Sequence, residues 1–384
     1  MATRSEPKAW VKKLGGVELT LVCLALLMAL VLACTLAQVK LGTELAMNAV
    51  MRTFIIWWRP EGWSFSLPVF PGGGLVGGVM LANLLARLSY LERSRRKAGI
   101  WLVHAGLVVL FAGEFASALL QVESHMPIEE GQTRDYAESF RLMELAAVDA
   151  GDPAFDDARL IPESRLKKAK ELRDASLPFT LKVHAYHDNA ELTMRRPGDP
   201  PSPATAGMGT NLVFRPVAPV TVDDQANTAV ALVEPVAPDD RSYGVFLLSN
   251  ALGAPQGFLH EGRPWRLSLR PRRYYLPFSL TLKDFRHDLY PGTDIPKNFS
   301  SLVRLKDPAS GEDRDVLIYM NTPLRHGGLT FYQASFGKED TLSVLQVVRN
   351  PGWTLPYLAC ALTALGLLWH FGVMLGRAVK ESRA

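Results

Sequence analysis

Apolar positions along this chain fall into two patterns. Four long stretches are almost free of charge: Leu19 to Val39, Gly62 to Ala86, Ala98 to Val122 with Glu114 alone, and Asn350 to Gly376. Roughly 20 apolar residues carry a helix across the hydrocarbon core, so these stretches predict transmembrane helices near 17–39, 67–87, 99–121 and 353–375. The second is broken by Pro68, Pro71 and five glycines between 72 and 78, and reads alternatively as a half-buried glycine-rich segment. The first has the basic start of a signal peptide. Its apolar run is longer than the ~7–15 residues of such a segment, and Cys34-Thr-Leu-Ala37 is a poor cleavage site, so it reads as a retained span.

The second pattern fills the roughly 230 residues between helices three and four. Short runs rich in Val, Leu, Phe, Tyr and Thr alternate with Pro and Gly, which predicts strands. The runs are Phe179–Tyr186, Val230–Val236, Tyr243–Leu248, Trp265–Leu269, Leu276–Phe285, Ser300–Leu305, Arg314–Met320, Leu329–Ser335 and Leu342–Val348. Leu160–Arg173 predicts an amphipathic helix, and Arg196–Gly209 a loop. Leu177-Pro-Phe-Thr-Leu181 returns as Leu276-Pro-Phe-Ser-Leu280, each opening a strand. The fold class is therefore an integral membrane α-helical protein of four transmembrane helices, with a large mainly-β extracytoplasmic domain inserted between helices three and four. The expected divisions are 1–121, 122–350 and 351–384.

Charge sharpens the topology. The 384 residues carry a formal net charge of +4, but the charges are segregated. Residues 1–16 (with Arg4, Lys8, Lys12 and Lys13), 86–98 and 376–384 hold twelve basic and three acidic residues, leaving 30 basic and 35 acidic elsewhere. With four spans all three basic clusters fall on one side, so both termini are expected in the cytoplasm and the β domain outside. The outer segment holds 27 basic and 31 acidic residues and has no electrostatic claim on nucleic acid. Cys23, Cys34 and Cys360 all lie in the apolar stretches, so the outer domain has no thiol for a disulfide or a redox relay. It also lacks a nucleophile elbow, a zincin helix, a P-loop and paired zinc-ligand spacing.

Three stretches resemble the ResB family of system II (Ccs) cytochrome c biogenesis. The first is Trp101-Leu-Val-His-Ala-Gly-Leu107, followed by Pro127-Ile-Glu-Glu-Gly-Gln132. The second is Leu276-Pro-Phe-Ser-Leu-Thr-Leu-Lys-Asp-Phe285, running on through Tyr290-Pro-Gly-Thr-Asp294 and Pro296-Lys-Asn-Phe299. The third and most specific is Tyr319-Met-Asn-Thr-Pro-Leu-Arg-His-Gly-Gly-Leu-Thr-Phe-Tyr-Gln-Ala-Ser-Phe336, which ends shortly before Asn350-Pro-Gly-Trp353. The region near 137–175 and the loop near 200 match less well. The resemblance implies a bacterial cytoplasmic-membrane protein that works with a multi-span ResC/CcsA-type partner, handles haem b in transit, and serves apocytochrome c. Thiol-reducing proteins would keep the acceptor cysteines reduced. The partner's tryptophan-rich motif is missing, since Trp57-Trp58 is followed by Arg59, so haem presentation is expected on the partner.

His104 and His370 are the candidate haem-binding residues. An imidazole inside a membrane helix is rare and functional by default, and neutral imidazole is an axial ligand of haem iron. His104 lies seven residues past Lys97 and His370 seven before Arg377, about 10 Å in from the basic side at ~1.5 Å per residue, so the two could share one iron. His104 is the candidate axial ligand, since the resemblance also points to a helix-three histidine. The second ligand is either His370 or a partner residue. Glu114 reads as a polar contact in the bundle. Arg325-His-Gly-Gly328 reads as a turn, with His326 or Arg325 facing haem as the sharper alternative. Arg270-Pro-Arg-Arg-Tyr-Tyr275 reads as a charged strand edge, with a site for haem propionates or for an acidic partner face as the sharper alternatives. His125 would contact haem leaving the membrane, and His184, His187, His260 and His287 carry no expected role.

The leading expectation is a haem-handling or scaffold subunit of a cytochrome c synthase complex, not an enzyme on its own. The alternative is a docking protein that recruits apocytochrome c or thiol-reducing proteins and never touches haem.

Overall fold

The computed structural model describes residues 8–60, 62–152, 155–220, 226–293, 296–338 and 341–383. Arg4 of the basic start and Asp294 of the second resemblance stretch lie outside them. The chain divides into two units, one mostly helical and one running from Glu123 to Val348.

In the helical unit the long helices are Val17–Leu41, Gly73–Tyr90, Ala98–Leu120 and Leu355–Ser382. Among the described residues three segments are long and apolar enough to cross a membrane: Ala9–Leu41, Ala98–Leu120 and Leu355–Ser382. The expected second span differs from what forms. Leu67–Pro71 is a strand pairing with Ile55–Trp58, and the helix begins only at Gly73 and runs past Arg87 to Tyr90. Pro68 and Pro71 explain the shift. Proline lacks the N–H that a helix interior needs, but it fits a ribbon edge. At the start of the last helix, by contrast, Pro356 occupies the first turn, where no N–H is needed.

Two polar devices bind the first helices together. Asn83 is 3% exposed; its amide donates to the Leu14 and Gly16 carbonyls at 2.6 and 3.0 Å, and its oxygen accepts from Thr20 at 2.9 Å. The Tyr90 hydroxyl donates to the Gly15 carbonyl at 2.7 Å. Below them Cys23, Leu30, Cys34, Val50, Val76 and Met80 form an apolar cluster, with Phe111 packed against it.

The second unit is mainly β. A ten-stranded sheet is organised by two long strands, Thr133–Asp149 and Arg263–Leu289, and a four-stranded sheet includes Thr180–His187 and Val230–Val236. The expected strands at 265–269 and 276–285 are one strand, bent at the register shift between Tyr275 and Leu280. Each end of that strand feeds a separate core. Trp265, Leu267 and Leu269 join one, with Phe179 and Leu181; Phe278, Leu280, Leu282 and Phe285 join the other. The repeated Leu-Pro-Phe-x-Leu entries thus do the same job twice, each placing its Phe and second Leu in a different core. The expected helix at 160–173 does not form. Asp157–Pro162 is a strand paired with Glu144–Asp149, a single turn spans Glu163–Leu166, and Glu171–Leu172 is a short strand. Ile161 enters the core only in that pairing, and this burial outweighs a weak helical pattern.

Candidate functional site

Helices Ala98–Leu120 and Leu355–Ser382 pack along a glycine seam. Gly99, Gly106 and Gly113, seven residues apart, are the buried positions of the first helix. A Cβ at Gly106 would fall 2.5 Å from Thr363 Oγ1 and 2.9 Å from the Ala359 carbonyl oxygen. At Gly99 it would meet the backbone of Gly366 and His370, and at Gly113 the Cβ of Leu355. A seven-residue repeat of small side chains keeps one face toward a partner helix and lets backbones approach closely. The sequence carried this signal, but the apolar length of the stretch masked it.

The seam fixes both histidines. His370 lies opposite Gly99, beside the basic loop, and its neighbour Trp369 donates its indole N–H to the Arg95 carbonyl at 2.9 Å. His104 is five residues further along its helix, about 7.5 Å deeper and some 140° around from Gly99. It therefore points away from the seam that holds His370. The equal depth inferred from counting residues to the nearest charge does not hold, because the last helix continues well past the end of its partner. The two histidines therefore lie at different levels along the helix pair.

His104 shares its face with Phe111 and Phe115, seven and eleven residues on. Phe111 packs on the Val76–Met80 cluster, and Phe115 lies where a Cβ at Gly77 would be 3.7 Å from its ring. His104 Nδ1 is 2.9 Å from the Ile100 carbonyl oxygen of its own helix. A carbonyl only accepts, so the proton sits on Nδ1. The lone pair of the neutral ring is then on Nε2, the atom a metal would take. Glu114 is exposed on a third face of this helix.

The candidates in the β unit are held by side chains of the same unit. His326 Nε2 is 2.9 Å from Asp307 and Nδ1 is 3.3 Å from Glu312, with Phe278 edge-on at 4.7 Å, so neither ring nitrogen is open to an iron. The turn reading of 325–328 is supported by Gly327 and Gly328, both in the left-handed region. Burial pushes the Asp307 carboxyl up, but the Ala309 N–H, His326 and Ser310 outweigh it and hold the group below its usual range. Arg270 pairs with Glu144 at 3.0 Å and Arg273 with Glu138 at 3.1 Å, while Arg273 also stacks on Tyr136 at 4.1 Å. These two guanidiniums are neutralised within the sheet; exposed Arg272 instead lies over Tyr274. His125 rests against Phe140 at 5.5 Å; its Nδ1 is buried without a hydrogen-bond partner, and burial lowers its pKa against the opposing pull of Glu123. His184 pairs with Glu234 and His260 with the Tyr243 hydroxyl. His287 stacks on Phe299, and His187 lies 5.5 Å from Phe214. Among the described residues no three His, Cys, Asp or Glu side chains converge as a metal site.

Comparison with known proteins supports the resemblance. Residues 266–344 match the ResB-like family, covering the motifs at 276–299 and 319–336. Protein NrfI of Wolinella succinogenes is 38% identical over 123 residues, which make up 30% of this chain and 14% of that protein's own length.

Proposed function

Taking the chain as a ResB-type membrane protein of cytochrome c biogenesis, we propose that it is the haem-handling and scaffold subunit of a system II synthase complex. In this reading all four long helices span the bacterial cytoplasmic membrane, with both ends in the cytoplasm and the β unit outside. Haem b is cargo, passed toward a ResC/CcsA-type partner for attachment to apocytochrome c.

The observation that carries the proposal is the His104 Nδ1–Ile100 hydrogen bond. It orients the ring and leaves Nε2 as the donor to a haem iron inside the membrane. Phe111 and Phe115 supply an apolar wall on the same helix face. His370, on another face and nearer the basic loop, is left out of that coordination, so the second axial ligand comes from the partner. Thioether formation joins haem vinyl groups to acceptor thiols. This chain has no cysteine in its β unit, and its role ends at holding and orienting cargo and partners.

The test is to purify the chain with its partner, replace His104 with Gly, and record the haem spectrum and cytochrome c maturation. Loss of the haem band, restored by added imidazole, is expected. Unchanged haem content and maturation would sink the proposal and leave the β unit as a docking module.

A further inference from the structure

The hairpin between the first two long helices has no role in the proposed haem path, yet it gathers several exposed aromatic side chains into one short stretch. Ile55–Trp58 pairs antiparallel with Leu67–Pro71, placing Trp57 opposite Pro68 and Trp58 opposite Leu67. Successive strand residues point to opposite faces, so Trp57 and Trp58 stand on opposite faces of the ribbon. Trp57 is 59% and Trp58 58% exposed, with Phe54, Trp63 and Phe65 also about half exposed or more. Across 53–71 the sequence holds only two charges, Arg59 and Glu61.

A two-stranded ribbon by itself is at best marginally stable in water. This one is pinned at its base. The Gly72 N–H donates to the Phe54 carbonyl at 2.9 Å and the Gly74 N–H to the Thr53 carbonyl at 3.0 Å. A Cβ at Gly72 or Gly73 would collide with the backbone of Thr53 or Met51. The glycines that weaken the second span as a membrane helix thus serve to seat the ribbon on its end. Among the described residues of its two strands Ile56 reaches the apolar cluster of the bundle, while the tryptophans stay exposed.

We propose that this hairpin is an interfacial element that buries Trp57, Trp58 and Trp63 in the headgroup region of the lipid bilayer, at the end of the first span opposite the basic N-terminal segment. Two features favour lipid over a protein partner. The first long helix, which leads toward the hairpin, is itself apolar and exposed at Leu36, Val39 and Leu41, as Phe54 is at the start of the ribbon. Trp57 and Trp58 also open to opposite faces of the ribbon, which a single docked surface does not cover at once and a surrounding solvent does. Tryptophan is the side chain best suited to that layer, since its ring is apolar and its N–H finds water or headgroup oxygens.

The test uses the full chain in lipid nanodiscs containing phosphatidylcholine brominated near the headgroup end or near the methyl end of the acyl chain. Tryptophan emission is compared with that of a variant carrying Trp57→Phe, Trp58→Phe and Trp63→Phe, a change that keeps the hairpin apolar. The wild type should lose more emission to the shallow bromines than to the deep ones. That difference should shrink in the variant, by up to the share of three tryptophans in eight. If the emission removed by the substitutions is insensitive to both brominated lipids, the proposal fails. It fails equally if that emission is shielded from lipid when a co-purified partner is bound, which would make the hairpin a protein-docking surface. None of these readings depends on haem.

Discussion

Gly99 lies directly against His370: a Cβ on the glycine would fall 2.7 Å from the histidine backbone nitrogen and 2.9 Å from its Cβ. That contact sets the register of the two helices, and with it the levels of His104 and His370 along them. Because His370 is level with Gly99, its substitution should leave haem bound. His370→Phe is expected to keep the His104-dependent absorption band in the purified complex, and loss of the band would overturn this geometry.

The seam itself has no room to spare. Gly106→Leu would drive a side chain into Thr363 and the Ala359 carbonyl, and overpacking of this kind costs about 1–3 kcal/mol or more. The detergent-solubilised chain should melt at a clearly lower temperature. Gly372→Leu, at a position with nothing within 4 Å, is the control and should not move the transition.

Asn83 satisfies two backbone carbonyls and one hydroxyl in an apolar setting. Asn83→Leu keeps the volume but removes all three bonds, and leaving such groups unmet costs about 1–3 kcal/mol. Proteolysis between the first two helices should accelerate, and a protection pattern equal to wild type would contradict the assignment.

In the β unit, the Glu144 side chain is 5% exposed and answered by Arg270. Arg270→Met leaves a buried carboxylate unpaired, which typically costs about 3–5 kcal/mol. The double change Arg270→Met with Glu144→Leu should recover most of the loss. Urea midpoints of the three proteins distinguish this from a simple loss of packing, in which the double variant would be the least stable.

His125 predicts a slope with pH. Burial lowers its folded-state pKa below the ordinary value of about 6.5. As pH falls past that value the unfolded chain takes up a proton that the folded form resists, so stability declines until the lower folded pKa is reached and then levels off. His125→Phe should flatten this decline. Urea midpoints recorded between about pH 7 and 5 for both proteins measure it.

Much of the architecture is written in local patterns. Long charge-free runs mark helices, alternating runs mark strands, and most of the predicted β segments lie within observed strands. Burial in a distant pairing decided the exceptions. Ile161 drew 157–162 into a sheet, and the Thr133–Asp149 strand is held by partners more than a hundred residues away in Arg263–Leu289. The site divides in the same way. Sequence alone determined that an imidazole lies inside an apolar helix, because hydrophobicity and residue type are properties of one segment. Only the tertiary structure decided which way it faces and that His370 stands level with Gly99, about 7.5 Å from His104 along the helix pair. Helix register is fixed by contacts such as Gly99 on His370, and those belong to two segments at once.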